Sequence, residues 1–190
     1  MALNTIPTSG LWSAIAGFLN DNFSEITSAN QVSGTYNYVD ATTSGTPITP
    51  VVDTWTILTN DGAGTGTETS YGLVGLANIW NTVTDRLDFT GLTLGDSLDF
   101  RMDLNVTTTV PNQEVLIDAF VGEGGVENQI PLHNPTQYKS AGVHRVALYS
   151  GGSVLSANTK DNPASLRIKT DASASIEVLS WYIRVVRRGI

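Results

Sequence analysis

The stretch Ser97-Leu-Asp-Phe-Arg-Met-Asp-Leu-Asn-Val106 decides the fold class of this protein. Apolar side chains stand at every second position from Leu98 to Val106, and polar side chains fill the positions between them. Since successive side chains of a β-strand point to opposite faces, this strict period of two predicts a strand over residues 96–106. One face of that strand is expected to cover a core and the other to meet water, as in an antiparallel sheet.

Similar segments occupy the rest of the chain. Pro111-Asn112 is a turn signal, and the alternating segment 114–121 is predicted to pair back on the first strand as a hairpin. Residues 122–135 are expected to form a long loop. For residues 41–80 the sequence leaves open whether they form strands or a loop. About eight short strands at this spacing, separated by Gly and Pro turns, indicate a mainly β, antiparallel sandwich or barrel.

The last predicted strand, at about residues 175–187, carries large side chains on both faces. Its two predicted faces are Leu179, Trp181, Ile183 and Val185 on one side and Ser180, Tyr182 and Arg184 on the other. Its length favours a central place in a sheet, because long exposed edges invite aggregation. A half-solvated strand needs only one apolar face, so the sequence allows the second face to pack against a neighbouring subunit.

Residues 1–30 differ from the remainder and are predicted to form an anchor arm, with the β domain over residues 31–190. Thr8 or Ser9 can cap a helix. Apolar residues then recur at helical spacing, which places them along one stripe; they are Leu11, Trp12, Ile15, Phe18, Leu19, Phe23 and Ile26. A short helix that contains Gly17 is marginal alone, so this stripe must pack on something. The alternatives are a docking partner or the protein's own β domain.

Composition narrows the possible functions. The formal net charge is −8 and only 10 residues are Lys or Arg, which argues against nucleic-acid and anionic-membrane partners. The chain has no cysteine, which removes disulfides and thiol chemistry. No apolar run is long enough for a transmembrane helix. The start of the sequence lacks the features of a signal peptide, so synthesis in a cytoplasm is expected.

No pattern of catalytic or metal-binding residues stands out. The two histidines, His133 and His144, do not have the spacing of zinc ligands. Asp99 and Asp103 belong to an acidic series, but alternation places both on the solvated face, where acids serve solubility. No nucleophile elbow or phosphate loop is present. The sequence therefore predicts a protein that is not an enzyme and needs no cofactor.

Three segments carry a resemblance to a known class of protein. Leu11 to Ile26, with its Asn22-Phe-Ser-Glu-Ile26 ending, resembles the opening of many phage fibre and structural proteins. The segments 89–104 and 162–185 are similar to parts of phage jelly-roll domains with the tumour necrosis factor-like fold. The resemblance implies a virion protein of a tailed bacteriophage, with an antiparallel jelly-roll β-sandwich that forms a homotrimer.

Two functions are compatible with that resemblance. The first is a capsid decoration or head-fibre protein, attached to the major capsid protein by the arm and located in the virion. The alternative is a tail-associated receptor-binding protein, attached to a tail protein, that recognises a host surface polysaccharide. Trp55, Tyr71 and Trp80 are candidate glycan-facing aromatics, since sugar sites use exposed rings. Tyr182 and Arg184 are candidate trimer contacts.

Overall fold

A computed structural model of the chain describes residues 31–188, and these residues form two antiparallel β-sheets. One short helix, α1 (Ala157–Asp161), is present in the described residues. The strands are β1 (Ser33–Val39), β2 (Thr56–Ile57), β3 (Trp80–Asn81), β4 (Arg86–Leu87), β5 (Ser97–Thr108), β6 (Gln113–Val121), β7 (Asn128–Tyr138), β8 (Gly142–Ser153), β9 (Ala164–Thr170) and β10 (Ala174–Val186). The first sheet has the order β1-β10-β5-β8, and the second has the order β3-β4-β9-β6-β7 with β2 paired to β9.

The strand pairs are nested along the chain. The outermost pair is β1 with β10, followed inward by β4 with β9, β5 with β8, and β6 with β7. Successive pairs alternate between the two sheets, which is the wound arrangement of a jelly roll. The predicted fold class, an antiparallel jelly-roll β-sandwich, is confirmed. The predicted N-terminal helix and its apolar stripe lie outside the described residues.

The predicted hairpin between the first strand and residues 114–121 is wrong. In the structure β5 pairs with β10 and β8, whereas β6 pairs with β7 and β9 in the other sheet. The turn at Asn112, whose φ is 59°, therefore carries the chain from one sheet to the other. The predicted loop over residues 122–135 is also wrong in its second half, since β7 begins at Asn128 and pairs along β6.

Strand β10 occupies the central position predicted for it, between β1 and β5. Its register shifts between Val178 and Ser180, so a β-bulge forms at Leu179. The bulge lets Ile176 and Val178 share the buried face with the odd-numbered Trp181, as the burial of all three shows. Leu179, predicted to point into the core with Trp181, is instead the unpaired residue of the bulge and is only partly buried.

The core lies between the sheets and is centred on two tryptophans. Trp181 on β10 and Trp80 on β3 meet edge to face, with ring centroids 5.9 Å apart, and are 0% and 1% exposed. Met102 and Leu104 of β5 are fully buried beside them in the same core. The apolar side chains of β5 thus face the core, as the sequence predicts, although Leu98 and Phe100 near its start are only half-buried.

Residues 41–80 are mostly turns, with only the short strand β2 and the start of β3. Two buried tyrosines of β1 hold this segment in place. The Tyr36 hydroxyl donates to the Leu76 carbonyl and accepts from the Leu73 amide, and the Tyr38 hydroxyl accepts from the Ile79 amide. Burial raises the pKa of both phenols. Long-range side-chain hydrogen bonds, together with the isolated antiparallel bridges Asn37–Glu68 and Ile48–Ile176, order this part of the chain.

In the part of the chain that the structure describes, no helix is both long and apolar enough to span a membrane.

Candidate functional site

The outer face of the first sheet carries an aromatic and charged surface, which we call the Tyr149–Tyr182 face. Arg101 at the middle of β5 is opposite Tyr182 of β10 on one side and Tyr149 of β8 on the other. Its guanidinium carbon lies 5.4 Å from the centroid of the Tyr149 ring. Tyr149 is 72% exposed and Tyr182 40% exposed. These rings are large apolar surfaces that are open to solvent in the single chain.

A shallow concavity of about 520 Å³ lies between these side chains and Arg184. Arg184 faces Asp99 across the β10–β5 pair at 3.8 Å, and both side chains are more than half exposed. Both predicted trimer contacts, Tyr182 and Arg184, therefore lie on this one face and line the same concavity.

Asp103 departs from the solvated role predicted for it. Its side chain is only 6% exposed, because Arg101 and Arg145 cover it. Arg101 Nη2 donates to Asp103 Oδ1 at 3.1 Å, and Arg145 Nη2 lies 3.6 Å from the same oxygen. The hydrogen bond to Asp103, together with its negative charge, raises the pKa of Arg101. The outer face is thus held by an ion network, whereas alternation alone predicts an isolated solvated acid.

A second surface, on the outer face of the second sheet, is centred on Trp55 and is called the Trp55 groove below. Ile57 of β2 pairs with Arg167 of β9, and Trp55 two positions earlier points to the same side. The Arg167 guanidinium carbon lies 5.0 Å from the Trp55 ring centroid and 3.9 Å from the Phe120 ring centroid. Both distances are within the range of cation–π attraction.

Two acidic residues of β6 and the loop after it fix the arginines of this groove. Asp118 accepts two hydrogen bonds from Arg167, at 3.0 Å and 2.7 Å, and a third from Gln129. Glu123 accepts from Arg86 at 2.6 Å and from the Ser165 hydroxyl. Charge-assisted bonds of this kind hold the side chains in one geometry.

The three aromatics predicted to face a glycan have different environments. Trp55 is half-buried at the groove just described. Tyr71 is 70% exposed on a loop whose backbone accepts a hydrogen bond from the Thr35 amide of β1. Trp80 belongs to the core, and its indole N–H donates to the Asn60 carbonyl at 2.8 Å, so it offers no ring face to a ligand. The structure does not bring the three together into one site.

The two histidines also lie in different environments. His144 stacks on Tyr138 with ring centroids 4.3 Å apart, and its Nε2 lies 3.1 Å from the Thr108 hydroxyl. His133 borders the Trp55 groove, and its Nε2 is buried without a hydrogen-bond partner. Burial lowers the pKa of His133. Among the described residues, no group of three or more His, Cys, Asp or Glu side chains is placed to hold a metal ion.

Comparison with known proteins finds similarity to solved structures but none to a known sequence family. No protein-family model matches the sequence, and no curated protein matches it either. A chain in a structure of infectious bursal disease virus, Gx strain, has a TM-score of 0.39 and 10% identity over 84% of this chain and 31% of that one. A structure of Eiger TNF from S. frugiperda has a TM-score of 0.46 and 8% identity over 84% of this chain and 96% of that one. This chain thus spans about a third of the length of the viral chain.

Sequence reasoning missed most of the Trp55 groove. Alternation along β9 predicts that Arg167 points outward, but nothing local connects it with Trp55, which is more than a hundred positions earlier. The connection depends on the pairing of β2 with β9, and β2 has only two residues. The contribution of Phe120 depends in turn on the pairing of β6 with β9.

Proposed function

We propose that this protein is a structural virion protein of a tailed bacteriophage, a homotrimeric capsid decoration or head-fibre protein with no catalytic role. The phage assignment is supported by the sequence resemblance of residues 11–26, 89–104 and 162–185. The observation that carries the trimer is the Tyr149–Tyr182 face. Tyr and Arg are residue types enriched in protein interfaces, and here two exposed tyrosines flank one arginine on the outer face of the first sheet.

The charges of this face suit contact between identical copies. Acidic and basic side chains alternate across the three strands: Asp99, Asp103 and Glu177 against Arg101, Arg145 and Arg184. Equal numbers of the two signs let copies of the face meet without net repulsion. A free monomer gains nothing from large exposed rings at this position, whereas a symmetric assembly buries them.

The arm formed by residues 1–30 is proposed to dock each trimer on the major capsid protein or on a tail protein. Its apolar stripe supports this role, since a short amphipathic helix is stable only when its apolar side is covered. The proposed location is the virion.

Immunogold electron microscopy of intact phage particles, with antibody raised against the purified chain, tests the proposal. Gold on the head is expected. Light scattering of the purified protein is expected to give three times the chain mass of 20.2 kDa. Unlabelled particles with a working antibody would overturn the virion assignment, and a monomeric mass would overturn the trimer.

A second candidate function is host recognition by a tail-associated receptor-binding protein that binds surface polysaccharide. The specific observation in its favour is Trp55, a predicted glycan-facing aromatic that is only half-buried and borders two concavities with fixed polar groups. Gold at the tail tip in the same experiment would favour this candidate.

A further inference from the structure

The Trp55 groove consists of two concavities that share Trp55 as their common wall. One, of about 450 Å³, lies beside Arg86, Phe120, Glu127 and Arg167. The other, of about 350 Å³, lies beside Asp118, Gln129, His133 and Lys169. Both volumes fall within the roughly 300–1,000 Å³ of small-molecule sites. A ligand that spans the groove therefore crosses the indole of Trp55 and reaches polar groups on both sides of it.

The walls of the groove are ordered before any ligand arrives. Arg167 is held by Asp118 and packed between two rings, with its side chain only 14% exposed. Arg86 is held by Glu123 at 2.6 Å, with the two side chains 22% and 19% exposed. Preorganised side chains lose little further freedom on binding, which favours even a small ligand.

Hydrogen-bonding groups remain for a ligand. Within the described residues, Arg167 uses Nε and Nη2 for Asp118, and its Nη1 has no hydrogen-bond partner. Glu127 is exposed, and from residues 31–188 it accepts a single weak bond, from the Gly124 amide at 3.4 Å. Lys169 adds an ammonium group to the second concavity. The groove thus offers donors and acceptors next to an aromatic ring.

The charges of the groove identify the class of ligand. Arg86, Arg167 and Lys169 are matched by Asp118, Glu123 and Glu127. A polyanion needs excess positive charge, which this balanced set does not supply. A purely apolar ligand would displace water from Arg167 Nη1, Glu127 and Lys169 without replacing its hydrogen bonds. A pyranose ring has an apolar C–H face that can stack on the indole, and its hydroxyl groups both donate and accept hydrogen bonds.

We infer that the Trp55 groove binds a neutral oligosaccharide of at least two sugar units. One sugar stacks on the indole of Trp55, and its hydroxyl groups bond to Arg167 Nη1 and to Glu127. The next unit extends into the concavity beside Lys169. This inference rests on the second candidate function for the source of the sugar, namely the host surface, but the binding itself does not require a particular location in the virion.

The test is a titration of the full-length, ¹⁵N-labelled protein followed by the indole N–H signals of its four tryptophans. Probes are maltotriose, cellotriose, mannobiose, galactobiose and diacetylchitobiose, up to on the order of 100 mM, so that even weak binding is detected. We expect at least one probe to shift the Trp55 signal in a saturable way while the core signals of Trp80 and Trp181 stay in place.

Variants locate the site. Since Trp55→Ala removes the Trp55 indole signal, binding to the variants is followed by the backbone amide signals of β9. Trp55→Ala is expected to weaken binding of the active probe roughly tenfold or more, and Glu127→Ala to weaken it severalfold. Tyr71→Ala, which removes a more exposed aromatic ring outside the groove, is the control and should bind normally. Unchanged Trp80 and Trp181 signals in each variant show that it is folded.

Two outcomes would overturn the inference. The first is that no neutral probe moves the Trp55 signal. The second is that only an acidic probe, such as a hyaluronan hexasaccharide, moves it, which would assign the groove to anions. Neither outcome affects the immunogold and light-scattering results, so failure of sugar binding is distinguishable from failure of the virion or trimer proposals.

Discussion

Arg167 and Asp118 lie directly opposite each other on β9 and β6 and form a two-pronged ion pair on the outer face of the second sheet. Arg167 Nε donates to one carboxylate oxygen at 3.0 Å and Nη2 to the other at 2.7 Å. Side-chain exposure is 14% for Arg167 and 2% for Asp118, although the pair is on a face of the sandwich that alternation assigns to solvent. The rings of Trp55 and Phe120 cover the guanidinium group of Arg167.

This pair gives a stability prediction. Asp118→Ala leaves a largely buried guanidinium without its partner and is expected to cost about 3 kcal/mol of unfolding free energy. The double variant Asp118→Leu with Arg167→Met removes both charges and should cost clearly less. Urea unfolding followed by tryptophan fluorescence measures both. Lys160→Ala, which breaks the exposed pair with Asp161, is the control and should stay within about 0.5 kcal/mol of the parent. A double variant as unstable as Asp118→Ala would contradict this account.

The Tyr149–Tyr182 face gives a prediction about assembly. Tyr182→Glu removes an exposed ring and gives each copy of this charge-balanced face a net negative charge, so we expect the mass from light scattering to fall from three chains to one. Tyr71→Glu changes an even more exposed tyrosine outside this face and should leave the mass unchanged. If both variants keep the parent mass, the contact lies elsewhere.

His133 gives a prediction about pH. Burial lowers its pKa, so the folded state favours the neutral ring, and the unfolded chain takes up the proton first as pH falls through about 6.5. Stability is therefore expected to fall as pH drops below that value, until the lowered pKa of the folded state is passed.

His133→Gln removes this contribution and should flatten the dependence of unfolding free energy on pH between about pH 7 and pH 5. Asp118 and Lys169 border the same concavity and are unchanged in the variant. Above about pH 8 the two proteins should show parallel pH profiles, because His133 is neutral in both states there. A profile with the same slope below about pH 6.5 would contradict the assignment.

Asn112 gives a prediction about the turn between the two sheets. Its φ of 59° lies in the left-handed region, which asparagine and glycine tolerate and β-branched residues do not. Asn112→Val is expected to lower stability by about 1–2 kcal/mol, measured by thermal unfolding. Asn112→Gly fits the same backbone and serves as the matched control. Equal losses in both variants would show that the side chain of Asn112, and not its backbone, matters.

Local pattern was enough to predict β5 and β10 but not their partners, and it assigned most of the 11-residue strand β7 to a loop. The period of two in β5 and the length of β10 follow from side-chain alternation and from the need to protect a long strand, and both elements are where the sequence predicts them. The turn at Pro111-Asn112 looks the same whether the chain folds back in one sheet or crosses to the other. The hairpin prediction failed because the choice depends on nested pairings such as β5 with β8, whose residues are distant in sequence.

In the candidate sites, too, local pattern predicted some positions and tertiary structure decided the others. Tyr182 and Arg184 were correctly placed on one face by alternation, because no irregularity separates them. Leu179 was misplaced, because the bulge at that position reverses the alternation and leaves no mark in the period of two. No local feature of the sequence predicts which of Trp55 and Trp80 is buried. In the structure Trp80 packs on Trp181 in the core, and Trp55 lies beside Arg167 on the outer face.

The local pattern of the sequence determined that this protein is mainly β and antiparallel, a sandwich or a barrel, because alternation, turn residues and low charge are properties of neighbouring residues along the chain. Tertiary structure alone decided how the strands are wound, where β10 bulges, and which aromatic rings are left accessible. It also decided that Asp103 and Asp118 are covered by arginines. The physical reason is that burial and ion pairing depend on which strands lie side by side, and long-range pairing places residues together that no local pattern connects.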